Sequence, residues 1–115
     1  MSKQKILCVV GTRPEAIKMA PVILKLQEQA EFYDVKVMAT GQHRQMLDQA
    51  LGIFSITPEI DLNIMQANQT LTHITCKALS ALTDYLTDNQ TDVVLAQGDT
   101  TTVMATSVAC YYTHT

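Results

Sequence analysis

Asp99 lies in the run Gln97-Gly98-Asp99-Thr100-Thr101, directly after Asp92 to Ala96, an apolar stretch that reads as a buried strand. A carboxylate at a strand end, beside a glycine, stands where substrates arrive and can move a proton. It can equally cap the following helix or pair with a lysine. Arg13 and Lys18 are the cations of interest, in Gly11-Thr12-Arg13-Pro14-Glu15-Ala16-Ile17-Lys18. At a helix start, a guanidinium beside free backbone N–H groups suits a phosphate; the plainer reading is a solvated arginine. Lys18, four residues after Pro14, projects one turn up the same helix face. His43, in Gly41-Gln42-His43-Arg44, is either a ligand contact or an ordinary surface histidine. Thr100, Thr101 and Thr102 can cap a helix, hydrogen-bond a ligand, or do both. His73 and His114 have no partners at ligand spacing, and Met19, Met38, Met46, Met65 and Met104 fall mainly at apolar positions and read as core filler.

Several chemistries are excluded. The first glycine turn lacks both the GxxxxGK[ST] of a P-loop and the GxGxxG of a dinucleotide site, so neither ATP nor NAD is indicated. A net charge of -3 and a pI near 5.4 argue against a nucleic-acid or anionic-membrane surface, which needs clustered Lys and Arg. Cys8, Cys76 and Cys110 are far apart and form no CxxC pair, so neither a metal knuckle nor a dithiol centre is expected, only free and mostly buried thiols. The apolar stretch after Lys3 and Lys5 ends at Val10, too short for a secretory segment, and no run approaches the roughly 20 apolar residues of a membrane helix. The cytoplasm is the expected location.

The elements that must position these residues follow from hydrophobic period. Ile6 to Val10 is a continuous apolar run, the pattern of a strand buried on both faces of a parallel sheet. Thr12 and Glu15 have capping-box spacing and open a helix towards Glu28, with a kink or restart expected at Pro21. Val35 to Thr40 reads as a second strand and Arg44 to Leu51 as a helix. Ser55 to Asn68 is irregular, with a short strand near Ile60 to Leu62. Leu71, Ile74, Ala78, Leu82, Tyr85 and Leu86 mark an amphipathic helix over Thr70 to Thr87. The strand of Asp92 to Ala96 follows, then a helix from Thr100 to about Tyr112. Strands alternating with helices predict an α/β fold, a Rossmann-like parallel sheet with right-handed crossovers. There is no internal repeat or linker, so 1–115 is read as part of one domain, with a further strand expected next and the fourth strand left as an open edge prone to association.

Ligands of such sheets bind outside the carboxyl ends of the strands, where strand order reverses. Three strand-exit turns therefore matter, those after the first, second and fourth strands. If the first and fourth strands are neighbours, Arg13, Lys18 and Asp99 come together.

The run Gly11-Thr12-Arg13-Pro14-Glu15-Ala16-Ile17-Lys18-Met19-Ala20-Pro21 resembles the opening signature of the non-hydrolysing UDP-N-acetylglucosamine 2-epimerases. The resemblance continues through Gln42-His43-Arg44-Gln45-Met46-Leu47-Asp48-Gln49, Asp61-Leu62-Asn63-Ile64-Met65, and Asp92-Val93-Val94-Leu95 leading to Gly98-Asp99-Thr100-Thr101-Thr102. It implies the partial N-terminal domain of a glycosyltransferase-B-like two-domain fold with a cleft between its halves. It also implies a cytoplasmic homodimer that interconverts UDP-GlcNAc and UDP-ManNAc for bacterial surface polysaccharide. The family's path breaks the C1–O bond to UDP, so that oxocarbenium character at C1 acidifies C2–H, and then re-adds UDP to the 2-acetamidoglucal with protonation from the opposite face. That path needs cations and carboxylates, and no metal or redox cofactor.

By the same resemblance Arg13 contacts the diphosphate or orders the cleft, Lys18 stabilises developing negative charge, and Asp99 is one of the acid/base or oxocarbenium-stabilising carboxylates. Thr100 and Thr101 are substrate-binding candidates beside it. Gln42, His43 and Gln45 match a region that binds a second UDP-GlcNAc as activator in some members, although Asn68 stands where those members carry an arginine. The next family motif, with another catalytic carboxylate, would start beyond Thr115. Most UDP contacts and a catalytic histidine belong to the family's second domain, so these residues alone are expected to be inactive. The competing expectations are a nucleotide-sugar glycosyltransferase of the same fold and a truncated, non-catalytic subdomain.

Overall fold

The computed structural model describes residues 2–41, 44–64 and 68–115. Strands β1 (Gln4–Val10), β2 (Tyr33–Ala39), β3 (Ile60–Asp61) and β4 (Val93–Leu95) form a parallel sheet in the order β3-β2-β1-β4. Helices α1 (Arg13–Glu28), α2 (Arg44–Ile53), α3 (Leu71–Asp88) and α4 (Thr101–Thr113) alternate with them. The α/β reading is correct, and β1 does neighbour β4, with Ile6 opposite Val93 and Cys8 opposite Leu95.

Both faces of β1 are covered, which is why its sequence is apolar without alternation. Ile6, Cys8 and Val10, level with Val35, Val37 and Ala39 of β2, face a core built with Ala16, Met19, Ala20 and Ile23 of α1 and Leu47, Ala50 and Leu51 of α2. Leu7, Val9 and Met38 face the other way, onto Ile74, Ala78, Leu82 and Leu86 of α3 and Ala105 and Ala109 of α4. The chain thus winds to one side of β1 through β2 and β3 and returns to its other side at β4. The reversal of strand order falls between β1 and β4.

A restart at Pro21 does not occur, and α1 runs as one helix of 16 residues through it. Pro21 and Ile17 are both exposed, so the backbone bond that proline removes is lost on the wet side, where water can satisfy the Ile17 carbonyl. The strand expected near Ile60 to Leu62 exists as the two residues of β3, pairing Met38 with Ile60 and Ala39 with Asp61. β4 is the terminal strand of the described sheet, and Val93 is exposed on it.

All three thiols are free, but they are not all buried: Cys8 is, Cys110 is partly so, and Cys76 is exposed on α3. Burial, reinforced by the Glu59 carboxylate, pushes the Cys8 thiol up to about 11. Only about one part in ten thousand of such a thiol is thiolate at neutral pH, and the thiolate is the nucleophile. Iodoacetamide at neutral pH should therefore alkylate Cys76 and leave Cys8 untouched until the chain is denatured, which peptide mass mapping reads directly.

Candidate functional site at the strand-exit turns

The carboxyl edge of the sheet is held by close contacts between segments remote in sequence. Thr40, directly after β2, and Thr102, in the first turn of α4, are both buried, and their hydroxyls meet at 3.3 Å. Gly11, directly after β1, lies between them. A Cβ there would collide with Thr102 Oγ1 and come within 2.8 Å of Thr40 Oγ1, so only glycine fits this approach. The turn after β2 is closed by Gly41 at φ 85°, whose missing side chain leaves room for the Asn63 backbone, and by the Ile64 N–H donating to the Thr40 carbonyl at 3.1 Å.

Glu15 is the centre of the arrangement. It stands at the third position of α1 but only 3% exposed. One carboxylate oxygen accepts the Gly11 N–H at 2.8 Å, and the other accepts a hydrogen bond from the Thr100 hydroxyl in the turn after β4. Gly98, at φ 122°, brings that turn so near that a Cβ on it would lie 3.5 Å from the Glu15 side chain. A buried carboxylate with two donors at a helix N-terminus is in a favourable field, which offsets its loss of water.

The capping-box spacing found the right residue and the wrong partner. Thr12 is the N-cap of α1 by backbone conformation, but its side chain makes no capping bond, and Glu15 reaches past it to Gly11. Thr100 likewise caps α4 by conformation alone: its side chain makes no capping bond, and its hydroxyl donates to Glu15.

Arg13 is the first residue of α1, Lys18 lies further along the same helix, and Asp99 lies in the turn joined to α1 through Glu15 and Thr100. All three are exposed, and among the described residues their side chains make no hydrogen bond or ion pair. Asp99 neither caps α4 nor pairs with Lys18, so the two structural readings of it are not the ones realised. Thr101 is half-buried at the start of α4, and Gln45 is exposed in the first turn of α2. Gln42 and His43 lie outside the described residues. Asn68 sits at φ 62°, a left-handed conformation that asparagine tolerates better than arginine does.

A surface cavity of about 240 Å³ opens at the opposite, amino-terminal edge of the sheet, between Lys5, Asp34, Lys36 and the end of α3 at Tyr85 to Asp88. Its charges are of both signs, and burial, with the Asp34 and Glu59 carboxylates, pushes the Tyr85 phenol above its ordinary value, leaving it protonated at neutral pH. Volume alone makes no chemistry there, whereas the strand-exit turns carry unpaired cations and a carboxylate on a rigid frame. Among the described residues no group of three His, Cys, Asp or Glu is placed to hold a metal ion, and no helix is long and apolar enough to cross a membrane.

Comparison with known proteins gives one consistent result. The family model for UDP-N-acetylglucosamine 2-epimerase matches residues 24–115. The UDP-N-acetylglucosamine 2-epimerase of Salmonella typhimurium is 56% identical over 108 residues, 94% of this chain and 28% of that protein. The Bacillus subtilis enzyme is 53% identical over 112 residues, 97% of this chain and 29% of its own length. The crystal structure of the putative 2-epimerase from Listeria monocytogenes superposes with a TM-score of 0.92 at 46% identity, covering 99% of this chain and 30% of that one. The structure of UDP-GlcNAc 2-epimerase from Neisseria meningitidis bound to UDP-GlcNAc gives 0.88 at 54% identity, covering 96% and 30%. The chain thus spans less than a third of the length of these relatives.

Proposed function

Because the chain belongs to the UDP-N-acetylglucosamine 2-epimerase family, we propose that it forms the first part of a Rossmann-like domain in an enzyme that interconverts UDP-GlcNAc and UDP-ManNAc. The remainder of that domain and a second domain complete a glycosyltransferase-B-like cleft, in a cytoplasmic homodimer that supplies a precursor of surface polysaccharide. The observation that carries the reading is the pair of turns flanking the β1/β4 reversal, one bearing Arg13, the other Asp99, fastened together and unpaired towards solvent. The relative from Neisseria meningitidis was crystallised with UDP-GlcNAc, and that from Methanocaldococcus jannaschii with UDP-GlcNAc and UDP, which supports a UDP-sugar as the ligand here.

The roles follow from charge and position. Arg13, at the α1 N-terminus, contacts the diphosphate with its guanidinium while the helix dipole favours the same anion. Lys18 neutralises charge that grows on UDP as the C1–O bond breaks, and Asp99 serves in proton transfer at C2 or faces the oxocarbenium ion. Thr100 and Thr101 bind the sugar beside it. Gln42, His43 and Gln45 are the candidates for a second, activating UDP-GlcNAc. No metal or redox cofactor is needed on this path.

Incubating the complete protein with UDP-GlcNAc in D2O, with no acceptor, tests the proposal. The expected result is UDP-ManNAc, with deuterium at C2 of both sugars, and no conversion by the 115 residues alone. Transfer of the sugar only when an acceptor is supplied would identify a glycosyltransferase instead. Conversion by the 115 residues alone would show that the essential groups all lie here.

A further inference from the structure

The two turns that bear Arg13 and Asp99 belong to different strands, and nothing in the sheet itself sets their separation. β1 and β4 are hydrogen-bonded only as far as Cys8 and Leu95, so both chains leave the ladder before reaching Arg13 and Asp99. Beyond that point the Glu15 side chain is hydrogen-bonded to both. Glu15 accepts the Gly11 N–H on the β1 side and the Thr100 hydroxyl on the β4 side, is itself 3% exposed, and packs against the space that Gly98 leaves open.

We propose that Glu15 is a positioning residue for the epimerase site, its buried carboxylate fixing the distance between the Arg13-bearing turn and the Asp99-bearing turn. The inference rests on the epimerase reading and deepens it. Glu15 touches neither substrate nor proton in this role. Its two oxygens point into the protein, where they accept from the Gly11 N–H and the Thr100 hydroxyl. Misplacement of reacting groups by about 1 Å can cost on the order of a hundredfold in rate. The bridge therefore matters to catalysis even if the fold survives without it.

The test uses the complete protein that carries these residues, with three variants. Glu15→Ala removes both bonds. Glu15→Gln keeps them, since its amide oxygen accepts from Gly11 and its amide nitrogen donates to a Thr100 hydroxyl that turns around. Thr100→Val removes the bridge from the other side. The expected results are kcat reduced at least tenfold in Glu15→Ala with KM for UDP-GlcNAc within threefold, kcat reduced at least tenfold in Thr100→Val, whose KM rises as well because its own sugar contact is lost, kcat within threefold of wild type in Glu15→Gln, and a Glu15→Ala/Thr100→Val double variant little worse than Thr100→Val alone. Unchanged kcat in Glu15→Ala overturns the proposal. So does equal loss in Glu15→Gln, because the charge itself would then be required. If Glu15→Ala does not fold, Glu15→Gln and Thr100→Val decide by the same criteria. A wild-type protein that makes no UDP-ManNAc sinks the epimerase reading but not the bridge. Amide exchange then decides, with faster exchange at Gly11 and at 98–101 but not at Val37 in Thr100→Val supporting it, and unchanged exchange refuting it.

Discussion

Gly11→Ala is expected to lower the melting temperature of the chain by several degrees, although alanine normally gains about 0.4–1 kcal/mol over glycine by restricting the unfolded state. Two effects oppose each other, and the packing decides the sign. The added methyl collides with Thr102 Oγ1 and lies 2.8 Å from Thr40 Oγ1 and 3.0 Å from Thr102 Cβ, none of which is the far end of a flexible side chain. Thr40 and Thr102 are buried and bonded to each other, so neither hydroxyl can turn away without losing its partner. Overpacking of this kind costs about 1–3 kcal/mol, and more where both neighbours are rigid. The collision with Thr102 Oγ1 puts this site at the upper end of that cost, so the net loss is about 2–2.6 kcal/mol, and at roughly 4 °C per kcal/mol for a domain near this size a fall of about 8–10 °C is expected in a thermal melt followed by circular dichroism. Combining Gly11→Ala with Thr102→Ala removes the worst of the collisions. The double variant should be more stable than the sum of the single changes requires, a coupling that a thermodynamic cycle measures. A Gly11→Ala chain as stable as the wild type would show that the three segments are not packed as described.

The same contacts mark where reading the sequence reached its limit. β1, β2 and the face of α3 were legible because each declares itself locally, by an unbroken apolar run or by period. Of the order β3-β2-β1-β4 only the neighbouring of β1 and β4 could be anticipated, and only as a condition, since pairing is not a local property; the structure meets that condition. Glu15 was visible as a helix-start acid, yet its partner Thr100 lies 85 residues away and no spacing rule connects them. The buried hydroxyl pair Thr40 and Thr102, 62 residues apart, was hidden for the same reason. The capping template offered Thr12 as the partner because Thr12 is adjacent, and tertiary contact overrode it. Pro21 does not restart the helix, since its cost depends on which side of the helix faces water, and that is set by packing. Cys76 is exposed because its place on α3 is set by the side of that helix turned from the sheet. As for the site, motif resemblance brought Arg13, Lys18 and Asp99 forward, while the carboxylate that joins their turns is a matter of three-dimensional contact.

Asp99→Asn should give the largest loss of activity of any single substitution in these residues, with almost no loss of stability, and the two outcomes together make it informative. Asparagine has nearly the same size and keeps one acceptor oxygen, but it can neither take a proton at neutral pH nor face a cationic transition state with a full charge. General acid–base groups contribute about 10²–10⁴ in rate, so kcat of the complete protein should fall by at least a hundredfold. Asp99 is exposed and unbonded among the described residues, and surface changes of that kind usually stay within about 0.5 kcal/mol, so the melting temperature should scarcely move. Two readouts separate the roles left open for it. If Asp99 moves the C2 proton, deuterium incorporation into recovered UDP-GlcNAc falls in step with epimerisation. If it stabilises the oxocarbenium ion, C1–O cleavage slows as well, and scrambling of an oxygen label between the bridging and non-bridging positions of the β-phosphate is lost together with epimerisation, whereas loss of proton transfer alone leaves that scrambling in place. Lys18→Met should behave differently, losing about 10²–10³ in kcat by removing charge stabilisation from the departing diphosphate. Arg13→Ala should act chiefly on KM, as a contact made to the diphosphate before and during bond cleavage. An Asp99→Asn protein with wild-type kcat would remove Asp99 from the chemistry and leave its turn with a purely structural part.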